Sequence, residues 1–158
     1  MADAGDDQVL TCSETTVSLN GSQGSGGVTY ERRDDENVVV GSTHTANVSE
    51  TGVYTLTVRS IANNCTDSDT VVVSEDTTAP SVSANAAGTL TCEAQQVALN
   101  AGVTGNGTLT YARRNASSQL IGTTSGVVVS TTGWYTITVT NENNGCFASD
   151  AVSVSYVE

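Results

Sequence analysis

Four cysteines carry the most decisive chemistry in this 158-residue chain: Cys12, Cys65, Cys92 and Cys146. No two stand in a Cys-x-x-Cys spacing, and the single histidine, His44, lies outside any ligand pattern. The set is therefore expected to form disulfides, with zinc set aside. Three connectivities are open to four cysteines. The internal symmetry described below favours Cys12–Cys65 and Cys92–Cys146, one bridge per repeat. Each would close a loop worth about 4 kcal/mol in the chain-entropy account. The competing reading is free, buried thiols in a cytosolic protein. A Cys12–Cys65 bridge makes a structural demand: the end of a short first strand must reach the corner between the sixth and seventh.

Seventeen carboxylates face five arginines and no lysine, a net charge of -12. Residues 1–80 hold thirteen of the acids against three arginines, or -10, and residues 81–158 hold four against two, or -2. In the acidic half, Asp34, Asp35 and Glu36, then Glu50, then Glu75 and Asp76 fall in turns expected at one end of a domain, facing the second half. Like charges so placed repel, and a hard cation with oxygen ligands would relieve them, so a Ca²⁺ site at the junction is one expectation. Neither an EF-hand nor an RTX loop supports it, and the second half has Asn115, Thr132 and Glu158 near the matching places. Solvated acidic loops that keep a protein soluble are the competing one. No other cofactor is expected.

Other chemistry is bounded quickly. His44 has no serine or carboxylate constellation around it in sequence and is expected as an exposed strand residue. The Gly-rich stretches 21–27 and 102–107 precede strand-like runs, so they lack the helix N-terminus of a phosphate cradle. The absence of lysine excludes Lys–Asn isopeptide cross-links. Five Asn-x-Ser/Thr triplets, at Asn20, Asn47, Asn64, Asn106 and Asn115, are unremarkable in a chain with 25 Thr and 18 Ser. A pI near 4.1 without basic stretches argues against nucleic acid. The longest apolar runs, such as Val71–Val73, are far too short to span a membrane as helices. Met1–Gln8 is acidic with no apolar core, so it does not read as a signal peptide, and Met1-Ala2 reads as an added start on an excerpt from a longer, exported chain.

The elements that must position these residues come from a repeat. Val9-Leu10-Thr11-Cys12 returns as Thr89-Leu90-Thr91-Cys92, and Val17-Ser18-Leu19-Asn20 as Val97-Ala98-Leu99-Asn100. Past the Gly-rich stretch the lag lengthens by one: Thr29-Tyr30-Glu31-Arg32-Arg33 maps to Thr110-Tyr111-Ala112-Arg113-Arg114, and Gly52–Val58 to Gly133–Val139. Two homologous domains follow, 1–76 and 81–158, with a linker at 77–80 that holds the only proline. Abundant Thr and Val with few long helix formers point to strands. In the first repeat, period-2 runs predict strands near 8–11, 16–20, 27–33, 37–41, 43–49, 53–60 and 67–74. The fold class is thus all-β, two tandem Ig-like β-sandwiches of about seven strands each. Tyr54, Leu56 and Val58 share the expected core face, with Thr55 and Thr57 solvated.

These strings, with Asp3–Gln8, Glu50–Val58 and Asp76-Thr77-Thr78-Ala79-Pro80, resemble the Ig-like and PKD-like tandem repeats of Bacteroidetes cell-surface adhesins and secreted proteins. The resemblance covers the whole chain and implies an extracellular, cell-surface setting. It implies that Gly52-x-Tyr54 and Gly133-x-Tyr135 form a tyrosine corner, the phenol bonding nearby backbone. One departure matters. Such repeats often carry Tyr-x-Trp on the third strand, where this chain has Tyr30-Glu31-Arg32 and Tyr111-Ala112-Arg113. An arginine in that phase must snorkel over a ring or meet a carboxylate, because an unpaired charge is costly to bury. Arg32, Arg33, Arg113 and Arg114 then offer paired cationic patches for an anionic glycan or a neighbouring subunit, or else edge charges that block unwanted strand pairing.

The function expected is non-catalytic: a stalk or adhesion pair from an exported bacterial surface protein. Its partners would be neighbouring repeats of a longer chain, surface glycans or its own copies. One alternative is a carbohydrate-binding or spacer module of a secreted polysaccharide-degrading enzyme, although Trp134 is the only Trp available as a platform. Another is the subunit of an extracellular filament.

Overall fold

The computed structural model describes residues 1–22 and 26–158, so the middle of the Gly-rich stretch 21–27 lies outside the described residues. The chain forms two units, Met1–Thr77 and Thr78–Glu158, and among the described residues the regular elements of both are strands. Unit 1 contains β1 (Gln8–Thr11), β2 (Val17–Asn20), β3 (Val28–Arg33), β4 (Val39–Gly41), β5 (Thr45–Val48), β6 (Gly52–Ser60) and β7 (Thr66–Asp76). Unit 2 contains β8 (Ser81–Ala86), β9 (Val97–Thr104), β10 (Leu109–Asn115), β11 (Leu120–Gly122), β12 (Val127–Val129), β13 (Gly133–Asn141) and β14 (Phe147–Val154). Seven strands per unit arise where β-branched residues alternate with polar ones between turn residues.

In unit 1 one sheet runs β1-β7-β6-β3-β4 and the other is β2-β5. In unit 2 the sheets run β11-β10-β13-β14 and β12-β9-β8. Both are Ig-like sandwiches. One pairing sets the ends of each unit. β1 lies parallel to β7, from Gln8↔Val73 to Thr11↔Asp76, and in unit 2 a single parallel bridge joins Leu90 to Tyr156. The other pairs are antiparallel, among them β6 with β7 from Gly52↔Val73 to Arg59↔Thr66.

Each unit has its own apolar centre. In unit 1 Leu10, Val17, Leu19, Val48, Tyr54, Leu56, Val71 and Val73 are buried together. In unit 2 the matching positions are Leu90, Val97, Leu99, Val129, Tyr135 and Val154, with Ile137 and Val139 also buried. The alternation along β6 follows the expectation at Tyr54 and Leu56. Val58, Thr55 and Thr57 are all half-buried, so the two threonines are less solvated than the pattern predicts.

Candidate functional site

The tyrosine corner forms in both units. The Tyr54 hydroxyl donates to the Glu50 carbonyl at 2.9 Å, and the Tyr135 hydroxyl to the Thr131 carbonyl at 2.8 Å. Each phenol ties the start of a central strand to the turn four residues upstream, as in Ig domains. Burial, then the charges of Glu50, Asp34 and Asp35, holds the Tyr54 phenol above its ordinary pKa.

The arginines behave differently from either sequence expectation. Arg32 and Arg113 are 0 % exposed, so they neither snorkel nor offer a guanidinium to a ligand. No carboxylate among the described residues is paired with them either. Nη2 of Arg32 donates to the carbonyls of His44 (3.1 Å) and Ala4 (3.3 Å), and Nη2 of Arg113 to that of Ser125 (2.9 Å). Nε and Nη1 of both side chains have no hydrogen-bond partner among the described residues. Desolvation pulls both guanidinium pKa values below the usual arginine range. The pairing register shifts between Arg32 and Arg33, and between Arg113 and Arg114, where each strand meets its short neighbour.

The second arginine of each pair braces a turn. Nε of Arg33 lies 2.7 Å from Oε1 of Glu31, and its Nη1 donates to the Asn37 carbonyl at 2.7 Å. Arg114 repeats the second contact, donating to the Ser118 carbonyl at 2.9 Å. His44 is not in a strand: it is a half-buried bend residue, its ring tilted against Tyr30 at 5.7 Å and its carbonyl accepting from Arg32 and Gly21.

The acidic turns do gather at one end of unit 1. Asp34, Asp35 and Glu50 act on the same phenol, and Gly52, beside them, pairs with Val73 near the exit of β7. Glu75 and Asp76 close that strand opposite Leu10 and Thr11. Asp34 is used locally, its Oδ1 accepting from the Val38 amide at 2.8 Å. Among the described residues no group of three or more His, Cys, Asp or Glu is arranged to hold a metal ion.

The cysteines correct the sequence reading most sharply. Cys65 and Cys92 are free and exposed, while Cys12 and Cys146 are disulfide-bonded. The expected pairs Cys12–Cys65 and Cys92–Cys146 are therefore not formed. The reason is the direction of β1. Its parallel pairing carries Cys12 past Asp76, whereas Cys65 precedes Thr66 at the opposite end of the 11-residue β7. At about 3.3 Å per residue these ends are roughly 33 Å apart, where a disulfide needs Cα atoms within about 7 Å. In unit 2 the Leu90–Tyr156 bridge likewise puts Cys92 past the end of β14, and Cys146 precedes its start.

Each unit thus has an entry end and an exit end. In unit 1 the Ala2 amide donates to Asp67 at 2.7 Å, beside Cys65, and the chain leaves past Asp76, beside Cys12. In unit 2 Nδ2 of Asn144 donates to the Thr78 carbonyl at 3.0 Å, beside Cys146, and the chain leaves past Tyr156, beside Cys92. The entry turns share a device: the amides of Cys65 and Cys146 donate to Oδ1 of Asn63 and Asn144.

One further surface stands out. Trp134, at the start of β13, is 61 % exposed beside a cleft of about 200 Å³ lined by Asn115, Ser117, Thr131 and Thr132. Sequence reasoning noted this tryptophan but not the polar cleft, which needs the β10–β11 turn folded beside it.

Neither a family profile nor a curated protein sequence matches the chain. Solved structures of similar fold do. The three N-terminal domains of the bacteriophage RB49 Highly Immunogenic Outer Capsid protein match with a TM-score of 0.49 and 17 % identity, covering 95 % of this chain and 56 % of that one. This chain therefore spans little more than half the length of that relative. A chain of the complex of Dpr11 IG1 with DIP-gamma IG+IG2 matches at 0.43 and 14 %, covering 97 % and 96 %. The N-terminal four Ig domains of Dscam1 isoform 6.9 match at 0.39 and 14 %, covering 97 % and 43 %.

Proposed function

We propose that this chain is a non-catalytic pair of Ig-like repeats from an exported bacterial surface protein of the Bacteroidetes type, and that it bears load as part of a stalk or adhesive array. The observation that carries this reading is the parallel pairing of β1 with β7. The chain enters unit 1 at one end of β7 and leaves at the other. Tension between these points slides two parallel strands along each other, so the ladder bonds are strained together rather than one at a time. Unit 2 has the same arrangement reduced to one bridge, Leu90↔Tyr156.

Single-molecule stretching of the reduced chain, in which the bonds at Cys12 and Cys146 no longer carry the force past the strands, tests it. Two unfolding events are expected, with unit 2 yielding at the lower force and unit 1 holding until the four-residue β1 shears from β7. Unfolding of both units at forces typical of strand unzipping would sink the reading.

A carbohydrate-binding role is the second reading, favoured by the exposed Trp134 beside its polar cleft. Sugars stack on aromatic faces while hydroxyl and amide groups fix their orientation. Quenching of the single-tryptophan fluorescence by soluble polysaccharides, with retention on a polysaccharide affinity gel that is lost in Trp134→Ala, is the expected signature.

A further inference from the structure

We propose that unit 2 carries one continuous groove for an uncharged glycan chain, with one sugar ring stacked on Trp134 and a neighbouring ring seated in a second cleft beside β12. The proposal rests on the carbohydrate reading above and adds to it the charge and the minimum length of the ligand.

The second cleft is lined by Ile121, Val127 and Val128, and it shares Asn115, Thr131 and Tyr135 with the cleft beside Trp134. Three shared residues make the two clefts one groove. At about 200 and 220 Å³, each alone is smaller than the ~300 Å³ at which ordinary small-molecule sites begin, and the two in line exceed it. A single ring fills one part, and a chain fills both.

Unit 1 separates what belongs to the fold from what belongs to a ligand. It has the second cleft too, about 270 Å³, lined by Asp34, Val40, Asn47, Glu50 and Tyr54. These positions align with Asn115, Ile121, Val128, Thr131 and Tyr135. The cleft is thus a property of the sandwich edge, and its charge is not. Asp34, Asp35, Glu36 and Glu50 of unit 1 stand as Asn115, Ala116, Ser117 and Thr131 in unit 2, and Val53 stands as Trp134. Four carboxylates give way to neutral groups at the place where the chain's one tryptophan appears.

Among the described residues no carboxylate and no arginine lines either part of the unit 2 groove. Arg114, next to Asn115, lines neither part and is held by the Ser118 carbonyl. A polyanion would lose hydration there with no cation to replace it, against a chain of net charge -12. A neutral sugar instead presents an apolar face to an indole and hydroxyls to polar groups. Those polar groups are already fixed. Oδ1 of Asn115 accepts from the Ser117 and Gln119 amides, each at 3.0 Å, and its Nδ2 donates to Oε1 of Gln119 at 2.9 Å. One Nδ2 hydrogen is left for a ligand hydroxyl. Oγ1 of Thr131 and the Tyr135 hydroxyl are bonded to each other at 2.8 Å. The row is set before a ligand arrives, so binding has little left to order.

The test is native affinity electrophoresis of the full chain through gels containing hydroxyethylcellulose, laminarin or galactomannan, with polygalacturonate and alginate as charged counterparts. Retardation by at least one neutral polymer and by neither polyanion is expected. Trp134→Val, which restores the unit 1 residue, should weaken affinity at least about tenfold, the worth of one stacked aromatic face. Oligosaccharides of the retarding polymer, titrated against tryptophan fluorescence, should bind at least about tenfold tighter as tetramers than as monomers. Ser130→Tyr fills the second cleft from an exposed position. It should remove that gain while leaving the monomer affinity and the melting temperature unchanged.

The proposal is overturned if a polyanion retards the chain as strongly as the neutral polymers, if affinity does not rise with length, or if Ser130→Tyr leaves the tetramer unaffected. In each of these cases Trp134-dependent retention would still uphold the carbohydrate reading. Absence of retardation by every neutral polymer overturns both. A wild-type dimer that Ser130→Tyr dissociates would put a second copy in the groove and overturns the proposal as well.

Discussion

Units 1 and 2 carry the same seven-strand plan but dress opposite edges of it. In unit 2 the first segment forms a six-residue strand, β8, paired with β9, while the next segment keeps a single bridge, Leu90 to Tyr156, just past β14. In unit 1 the balance is reversed: residues 1–7 form no strand, and β1 pairs with β7 over four residues. The cause is local. Gly5, at φ +91°, stands where unit 2 has Asn85, with no room for a Cβ against the backbone of Asn20, whereas Gly88 stands where unit 1 has Gln8. An aspartate anchors the first segment in the same way in both: Asp69 accepts from the Ala4 amide and Asp150 from the Ala84 amide, each at 2.8 Å. The interior is fixed by which side chains alternate inward, and the ladder at the margins is exchangeable.

The largest test of that comparison is in the cores. Leu56→Ala and Ile137→Ala remove equivalent, fully buried side chains, and each should cost about 3 kcal/mol. Calorimetry should show the transition of the altered unit falling by more than about 10 °C. An equal fall in both transitions would mean that the units do not hold separate cores.

Next come the arginines. Arg32 has two carbonyl acceptors and Arg113 one, and both leave Nε and Nη1 unpaired. Replacing a buried, poorly compensated charge by an apolar side chain of similar length is often stabilising. Arg113→Met should stabilise unit 2 by about 1–2 kcal/mol, and Arg32→Met should stabilise unit 1 by less. Denaturant midpoints for the two variants measure the difference, and the opposite order would reverse the account of these contacts.

The tyrosine corners are a smaller effect. Tyr54→Phe and Tyr135→Phe should each cost about 1 kcal/mol, the worth of one hydrogen bond. Unit 1 carries an additional pH signature. Its folded phenol pKa is raised, so the stabilisation is complete below the unfolded value near 10 and is lost as pH rises through the folded value. Alkaline melting curves should therefore fall for the wild type in this range and be flatter for Tyr54→Phe.

The smallest expected effect concerns calcium at Asp34, Asp35, Glu36, Glu50, Glu75 and Asp76. Because no ligand set is assembled among the described residues, millimolar Ca²⁺ should move the melting temperature, relative to EDTA, by less than about 2 °C. A larger rise, lost in Asp35→Asn, would establish a cation site in the acidic unit that unit 2 lacks.

Much of the fold is legible in the residues. The observed strands of unit 1 begin and end within about three residues of the expected runs, because β-branched alternation and Gly/Asn/Asp turns act locally. The tyrosine corner was legible through the family resemblance. The cysteine pairing was not. Repeat symmetry says that each unit contributes equivalent cysteines, but it does not say which way the first strand runs, and its parallel pairing separates Cys12 from Cys65 by the length of β7. The arginines were misjudged because carbonyls at 4 and 44 come close only once residues 1–7 and the bend before β5 are in place. Backbone acceptors of that kind leave no mark on side-chain spacing.

The burial of Arg32 and Arg113 has a consequence for durability outside a cell. Proteases that cut after basic residues need an accessible arginine or lysine, and this chain has no lysine. Two of its five arginines are sealed inside, and the other three, Arg33, Arg59 and Arg114, are fixed within strands by contacts to Asn37, Asn64 and Ser118. A trypsin-like enzyme meets no basic residue on a loose loop among the described residues, so digestion has to wait for a unit to open.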